Sequence, residues 1–190
     1  SRGRNCSVSH ALEYYIADYA LSLLADDLGK EEDADRFREQ SLRYKSYYCP
    51  EYGTFRPINK DGSFLDPFNP RQGENFEPVP GFHEGSAWNY TFYVPHDVLG
   101  LARLMGGKKA FVNKLQKVFD EGLYDPANEP DIAYPYLFSY FKGEEWRTQR
   151  TVTNPGGTSE SGAGAAGSFI GSGIMIHLRD GQDRYTYTAV

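Results

Sequence analysis

The first long segment of the chain, residues 10–29, reads HALEYYIADYALSLLADDLG. Its apolar residues recur at the 3.6-residue spacing that predicts an amphipathic helix. The residues on this stripe are Leu12, Tyr15, Ile16, Tyr19, Leu23 and Leu24. Gly29 is a typical stop signal. A second helix is predicted over residues 31–48, and two helices joined by about two residues form an antiparallel hairpin.

Helical periodicity returns further along the chain. The predicted helices cover residues 86–94, 95–105, 108–121, 131–141 and 144–150. Pro95 suits the first turn of the helix at 95–105, and Gly106-Gly107 would end it. Residues 49–83 are rich in Pro and Gly, which predicts loops with a short hairpin. The fold class predicted up to residue 150 is therefore mainly α.

The composition changes sharply at residue 151. The segment TVTNPGGTSESGAGAAGSFIGSG, residues 151–173, is small, polar and rich in glycine. Such a composition predicts a loop or a poorly ordered segment. We therefore divide the chain into a helical region, residues 1–150, and an irregular, loosely packed tail, residues 151–190.

Charge and hydropathy exclude two classes of partner. The net charge is −6, whereas nucleic-acid binding needs a basic face. An anionic membrane surface is disfavoured for the same reason. No apolar run approaches the roughly 18 residues of a membrane span. We therefore expect neither a nucleic-acid partner nor a membrane partner.

The sequence does not fix the compartment. The chain starts at Ser1 without a signal-like apolar segment, so we expect either a processed start or an internal piece of a longer protein, and secretion stays open. Cys6 and Cys49 would pair in an oxidising compartment. The alternative, two ordinary thiols, is favoured.

One carboxyl group stands in an aromatic context. Residues 81–107 read GFHEGSAWNYTFYVPHDVLGLARLMGG, so Glu84 comes just before a cluster of rings. A carboxyl beside aromatic rings is partly desolvated and its pKa rises, which suits a general acid. The alternative is a glutamate that interacts with a helix dipole. Spacing alone favours that alternative.

Two oxygen-bearing residues precede Pro130. Asn128 and Glu129 offer an amide carbonyl and a carboxylate, which hard cations such as calcium choose. The alternative is an Asn cap followed by Glu and Pro in the first turn of a helix. Spacing alone favours the cap, since two adjacent oxygens do not make a calcium site.

Four stretches together resemble a known family. They are LEYYIADYALSLLADDLGK, YGTFRPINKDGSFLDPFNP, HEGSAWNYTFYVPHDVLGLARLMGG and NEPDIAYPYLFSYFKGEEWRTQR. In order and wording they resemble the catalytic domain of the glycoside hydrolase family 92 α-mannosidases, in a fungal-like form, over about residues 8–150. The strings EG-x-AW-x-YT-x-x-VPHD and NEP-x-x-x-x-PYL are the specific part of this resemblance.

The resemblance implies a fold and an activity. Members of the family have a β-sandwich domain followed by an (α/α) toroid of six helical hairpins. The chain would then be a partial toroid, and the N-terminal sandwich domain would be missing from it. The family hydrolyses terminal α-mannose, commonly α-1,2-linked, with inversion and with a calcium ion that helps bind and distort the mannose. A mannose-containing glycan is thus the expected substrate, and Ca²⁺ the expected cofactor.

The resemblance also implies roles for particular residues. Glu84 corresponds to the general acid of the family. Asn128 and Glu129 correspond to residues at the calcium site. Trp88, His96 and Asp97 belong to the same motif as the acid and would bind substrate or brace the pocket.

The chain departs from the family where the catalytic base is expected. An inverting enzyme needs a second carboxylate roughly 6.5–9.5 Å from the acid, and the family supplies it from an acidic string downstream of the WRTQ motif. The nearest match here is GTSESGAGAAGSF, residues 157–169, in which Glu160 is the one acid. A splice defect or frameshift would produce such a divergent tail. We therefore expect the chain alone to be inactive or nearly so.

Two rival functions stay open. The first is a non-catalytic mannoside-binding remnant that keeps Glu84 and the metal ligands. The second is a toroid glycosidase acting on another glycan, similar to a trehalase or a glucoamylase, which the NEP and VPHD strings disfavour.

Overall fold

The computed structural model describes residues 6–73, 79–153, 174–177 and 186–189, of which Thr153 and the last two ranges are described by their backbone. Within these ranges the helices are α1 (Ser7–Asp27), α2 (Glu31–Ser41), α3 (Ala87–Tyr90), α4 (Val98–Leu104), α5 (Lys108–Asp120) and α6 (Glu145–Thr153). Within the same ranges, 3₁₀ segments span Leu42–Tyr47, Glu129–Asp131 and Tyr134–Tyr140. The short strands are β1 (Tyr48–Cys49), β2 (Thr54–Phe55), β3 (Ile174–His177) and β4 (Thr186–Ala189). The predicted fold class, mainly α, is confirmed.

Consecutive helices pack in pairs. Helix α1 packs against α2, α4 against α5, and the segment Tyr134–Tyr140 against α6. Gly29 follows α1 with a φ of 68°, and Gly106 and Gly107 separate α4 from α5 with φ values of 100° and 97°. Glycine adopts such left-handed angles readily because it has no Cβ. These glycines therefore act as the stop signals that the sequence predicted.

The second predicted helix is shorter than expected. Regular α-helix ends at Ser41, the 3₁₀ segment Leu42–Tyr47 follows, and Tyr48 begins β1. The Ser41 hydroxyl donates a 2.7 Å hydrogen bond to the carbonyl of Arg38. A serine side chain that competes for backbone groups in this way weakens the helix at its own position.

The helices around the VPHD string also differ from prediction. The helix expected over 86–94 is the single turn Ala87–Tyr90, and α4 begins at Val98 rather than at Pro95. Asp97 is the N-cap of α4, and its Oδ1 accepts a 2.9 Å bond from the amide of Gly100. A carboxylate cap satisfies an otherwise unpaired amide, so this cap rather than the proline fixes where α4 starts.

The helix predicted over 131–141 is a 3₁₀ segment, Tyr134–Tyr140. Its tighter turn is visible where the amide of Tyr136 bonds the carbonyl of Ala133 at 3.0 Å. Pro135 lies in the first turn and has no amide hydrogen to donate. The chain there therefore lacks one of the bonds that would extend a regular α-helix.

An aromatic core joins the third helix to the later ones. The largest fully buried side chains are Tyr44, Tyr134, Phe55, Phe92, Phe111, Phe138, Leu12, Leu101 and Leu115. The Phe92 ring meets Phe111 edge-on with centroids 5.1 Å apart, and meets Tyr134 at 5.3 Å. Edge-to-face pairs add to the stability gained from burial. Phe92, two residues after α3, is thus held between rings of α5 and of the segment Tyr134–Tyr140.

The two strand pairs lie in different parts of the chain. β1 and β2 pair antiparallel, with Tyr48 opposite Phe55, so the short hairpin predicted within residues 49–83 begins one residue earlier. β3 and β4 pair antiparallel from Ile174–Ala189 to His177–Thr186. These four-residue strands lie in the tail that composition predicted to be irregular.

Candidate active site

The loop of residues 81–85 carries Glu84 and is held by the start of α1. The carbonyl of Gly81 accepts hydrogen bonds from the amides of Val8 at 2.9 Å and Ser9 at 3.1 Å. The amide of His83 donates to the hydroxyl of Ser9 at 2.9 Å. Amides in the first turn of a helix have no partner within the helix, so α1 supplies free donors that fix one end of this loop.

The other end of the loop is fixed by two side chains. The Tyr90 hydroxyl donates to the carbonyl of His83 at 2.6 Å. The side-chain amide of Asn128 donates to the carbonyl of Glu84 at 2.8 Å. Three peptide carbonyls of this loop, those of Gly81, His83 and Glu84, are therefore tethered to separate parts of the chain.

Glu84 adopts a left-handed backbone conformation. Its φ is 52°, and it is the one non-glycine residue with positive φ among the described ranges. Such a conformation costs an L-residue roughly 1–2 kcal/mol. Strained residues of this kind persist where surrounding contacts fix them, and they cluster at functional sites.

The carboxylate of Glu84 points to water rather than into the aromatic cluster. Its side chain is 64% exposed, and its Oε1 lies 3.3 Å from Nε2 of His83. The expectation of a desolvated carboxyl is therefore wrong for these residues, because the rings that follow in sequence pack inward. Glu84 also lies outside α3, two residues before the cap Ser86, so it is not a residue of the first helical turn.

Helix α3 begins with a reciprocal cap. The amide of Trp88 donates to the Ser86 hydroxyl at 3.2 Å, and the amide of Ser86 donates to Oδ1 of Asn89 at 2.8 Å. This is a capping box in which Asn replaces the usual Glu or Gln. The cap fixes the direction in which the chain leaves Glu84.

The loop 125–131 lies against the Glu84 loop. Asn128 is 6% exposed and occupies the N-cap position of the segment Glu129–Asp131, but its side chain makes no cap bond. The amide instead reaches the carbonyl of Glu84. Asn128 therefore occupies the N-cap position that the alternative predicted, but its side chain does not make the cap hydrogen bond.

Asp131 is buried behind that loop. Its Oδ2 accepts bonds from Nδ2 of Asn89 at 2.8 Å and from the amide of Asp125 at 2.9 Å. Its Oδ1 is buried without a hydrogen-bond partner. Burial raises the pKa of this carboxyl well above its ordinary value, although the two donated bonds oppose the shift.

The rings and charges of the VPHD motif face the core. Trp88 is 6% exposed, and Lys114 Nζ lies over its ring at 4.6 Å from the centroid. His96 bonds the carbonyl of Ser41 at 2.9 Å, and burial lowers its pKa. Asp97 accepts a 2.9 Å bond from the Tyr44 hydroxyl in addition to capping α4. In this arrangement Trp88, His96 and Asp97 brace the helices around the Glu84 loop.

The oxygens of the second loop fit a hard cation in part. Because Asn128 donates through its nitrogen, its Oδ1 is left to act as an acceptor or ligand. Glu129 is exposed beside it. Calcium takes six to eight oxygens, so these two would be a minority of its ligands. No group of three or more His, Cys, Asp or Glu suited to a metal occurs among the described residues.

Sequence reasoning missed the residues that join the two loops. Tyr90 belongs to the EG-x-AW-x-YT string, which indicates no role for it. Asn89, Asp131 and Tyr134 fill unspecified positions of the two strings, although Ser86 and Asn89 have capping-box spacing. Glu160, the predicted base, lies outside the described residues. Cys6 and Cys49 are free buried thiols, as the favoured alternative had it. No helix of the described ranges is long and apolar enough to cross a membrane.

Comparisons with known proteins identify the family of the chain. The profile of the glycosyl hydrolase family 92 catalytic domain matches residues 1–156. The chain belongs to this family, as the resemblance predicted. An uncharacterized secreted glycosidase of Arthroderma benhamiae is 26% identical over 94% of this chain and 27% of its own length.

Solved structures of the family have the same fold. The family GH92 α-mannosidase BT3965 of Bacteroides thetaiotaomicron superposes with a TM-score of 0.71 and 29% identity over 90% of this chain. The inverting mannosidase BT2199 of the same organism gives 0.73 and 25% over 90%. The helical pairs therefore form part of an (α/α) toroid. The chain spans about a quarter of these relatives, 24% and 27% of their lengths.

Proposed function

We propose that this chain carries the general acid, and part of the calcium site, of an exo-α-mannosidase acting on terminal mannose, with α-1,2 linkages as the expected substrate. One observation supports this best. Asn128 bonds the backbone of Glu84, so the proposed metal ligand lies beside the proposed acid. A metal that holds a sugar must lie near the group that cleaves its glycosidic bond.

Glu84 would deliver its proton to the leaving glycosidic oxygen. The tethered carbonyls of its loop would keep its carboxyl at a fixed position while the glycan binds. Asn128 Oδ1 and Glu129 would hold the calcium, which when bound supplies positive charge that orients the mannose hydroxyls. Inversion needs a base on the opposite face of the sugar, and Glu160 is the residue we propose for it.

Exposure of Glu84 bears on how well this chain can catalyse. A general acid works best when burial raises its pKa towards the operating pH. With 64% of its side chain exposed beside His83, Glu84 would need the bound glycan and further parts of the domain to exclude water. The same observation favours a second candidate, a mannoside-binding function without turnover.

The location of the protein is a separate proposal. We propose secretion, which is part of the name of the Arthroderma relative.

Mannose release separates these functions. The purified chain is incubated with α-1,2-mannobiose in calcium or in a chelator, alongside Glu84→Gln and the control Glu39→Gln, which alters an exposed carboxylate of α2. We expect slow, calcium-dependent release from the wild type and the control, and a loss of about 10²-fold or more in Glu84→Gln. NMR of the first product formed reports inversion or retention.

Binding measured by calorimetry completes the test. Calcium-dependent binding without release in any variant would support the binding function and remove the enzymatic one. Release that Glu84→Gln leaves unchanged would show that Glu84 is not the acid. Neither release nor binding would contradict both proposals.

A further inference from the structure

Asp131 accepts hydrogen bonds from two separate segments. Asn89 belongs to α3 and Asp125 to the second loop, and both donate to the same oxygen of Asp131. The Asp131 side chain is fully buried. A buried carboxyl is costly unless it is hydrogen-bonded, and here one oxygen has no partner. A leucine of similar size would fill this space without that cost.

The same hydrogen bonds lead to Glu84 from both sides. Asn89 turns its Oδ1 to the amide and hydroxyl of Ser86, at 2.8 and 3.0 Å, two residues after Glu84. Asn128, three residues before Asp131, bonds the Glu84 carbonyl. Asp131 therefore lies in a closed network of contacts. The network leads from the Glu84 loop through Asn89 to Asp131, and from there through Asn128 back to Glu84.

The hydroxyl of Tyr134 supports this network. The Tyr134 hydroxyl donates to the carbonyl of Asn89 at 2.7 Å and accepts from the amide of Phe92 at 3.1 Å. The ionisable neighbours of Asp131 are Asp125, Tyr90, Tyr124 and Tyr134. Hydrogen bonds in such a dry environment are strong and geometrically specific.

We propose that Asp131, acting through Asn89, is a positioning residue for Glu84, fixing the loop of the acid at its distance from the loop of Asn128. The inference rests on the proposed role of Glu84 as the acid. A displacement of about 1 Å at a catalytic group can cost about 10²-fold in rate. One oxygen at position 131 accepts hydrogen bonds from both segments at once.

Matched variants test this position without needing turnover. Asp131→Asn keeps an oxygen that accepts both bonds, whereas Asp131→Leu has similar size and no acceptor. Val118→Ala opens a cavity in the buried face of α5 and is the control for general destabilisation. NMR measures the exchange protection of the side-chain amides of Asn89 and Asn128.

We expect both amides to be protected in the wild type, Asp131→Asn and Val118→Ala. In Asp131→Leu the protection of Asn128 falls at least about tenfold, although the Asn128 side-chain amide bonds the carbonyl of Glu84 and not the Asp131 carboxyl. Unchanged protection of Asn128 in Asp131→Leu, or equal loss in Val118→Ala, overturns the proposal. If Asp131→Leu does not fold, Asn89→Ala makes the same test from the other side of the bond.

Kinetics of mannose release separate the two proposals. Where the wild type turns over, Asp131→Leu is expected to lower kcat about 10²-fold with KM within about twofold, and Asp131→Asn to restore it. A fall in Val118→Ala equal to that in Asp131→Leu contradicts positioning. If the wild type and Glu84→Gln are equally inactive, the proposed function fails for this chain, and the amide protection alone decides the role of Asp131.

Discussion

The side-chain amide of Asn128 donates a 2.8 Å hydrogen bond to the main-chain carbonyl of Glu84, across 44 residues of sequence. Replacing Asn128 by Asp puts a carboxylate oxygen where the donor was, facing that carbonyl. We expect Asn128→Asp to lose about 1–3 kcal/mol of unfolding free energy at neutral pH. Urea unfolding at several pH values measures it.

The pH dependence of this loss tests its cause. Below the carboxyl pKa, the protonated side chain can donate again, so part of the stability should return in acid. Asn113→Asp, on the exposed face of α5, is the control and should cost little. A loss in Asn128→Asp that is the same in acid and at neutral pH would speak against the hydrogen bond.

The left-handed backbone of Glu84 predicts that glycine is tolerated better than alanine at this position. Glycine adopts a φ near 52° without the Cβ clash. We therefore expect Glu84→Gly to be more stable than Glu84→Ala by about 1 kcal/mol, while both lose mannose release. Thermal or urea unfolding of this pair isolates the backbone effect, since both lack the carboxylate. Equal stability of the two variants would mean that position 84 is not left-handed in solution.

We expect Asp97 to contribute to folding stability rather than to substrate binding. It caps α4 and accepts the bond of the buried Tyr44 hydroxyl. Asp97→Ala should cost about 2–3 kcal/mol, the sum of a lost cap and a stranded hydroxyl. Tyr44→Phe should cost about 1 kcal/mol, and the double variant less than the sum of the two. Strict additivity would show that the pair does not interact. Weakened mannoside binding by the folded Asp97→Ala protein would return this residue to the substrate site.

Lys114 predicts a rise of stability with pH. Burial, with a smaller contribution from Lys117, lowers the pKa of Lys114 from 10.5 to about 8. Between these values the unfolded chain binds a proton that the folded chain has released, so the unfolding free energy increases as pH rises. The clear window is pH 8 to about 10, below the ordinary tyrosine pKa.

Lys114→Met should remove that rise. Methionine keeps an apolar stem against Trp88 without the buried charge. The exposed Lys109→Met is the matched control and should keep the wild-type slope. Equal slopes for Lys114→Met and the wild type would show that the Lys114 amine titrates at its usual pH in the folded state.

Sequence patterns predicted the elements whose cause is local. Periodicity found the helices, Gly29 and Gly106 ended two of them, and the NEP and EG-x-AW strings begin in the two loops that meet. The bounds failed where a single side chain decides them, as Ser41 does for α2 and Asp97 for α4. Each of these residues sets a helix end through one local hydrogen bond, and no periodic pattern in the sequence indicates such a bond.

Long-range contacts account for what could not be predicted. Nothing near Glu84 in sequence indicates that Asn128 will fix its carbonyl, or that its side chain will face water. Asp131 looks like an ordinary acidic residue at a helix start, and its burial depends on Asn89, which is 42 residues away. The partners of such residues are decided by tertiary packing alone.

The bonds between α1 and the loop of residues 81–85 have a consequence for synthesis of the protein. Ser9 precedes His83 by 74 residues, which at ribosomal rates of 5–20 residues per second is about 4–15 s. From the time that α1 is complete until His83 is added, Val8 and Leu12, both fully buried in the native core, lack the later segments that bury them. Nascent chains that end before Gly81 should therefore be recognised by chaperones through α1 and be cleaved there by protease, and this sensitivity should disappear only in longer chains that also contain Asn128 and Tyr134.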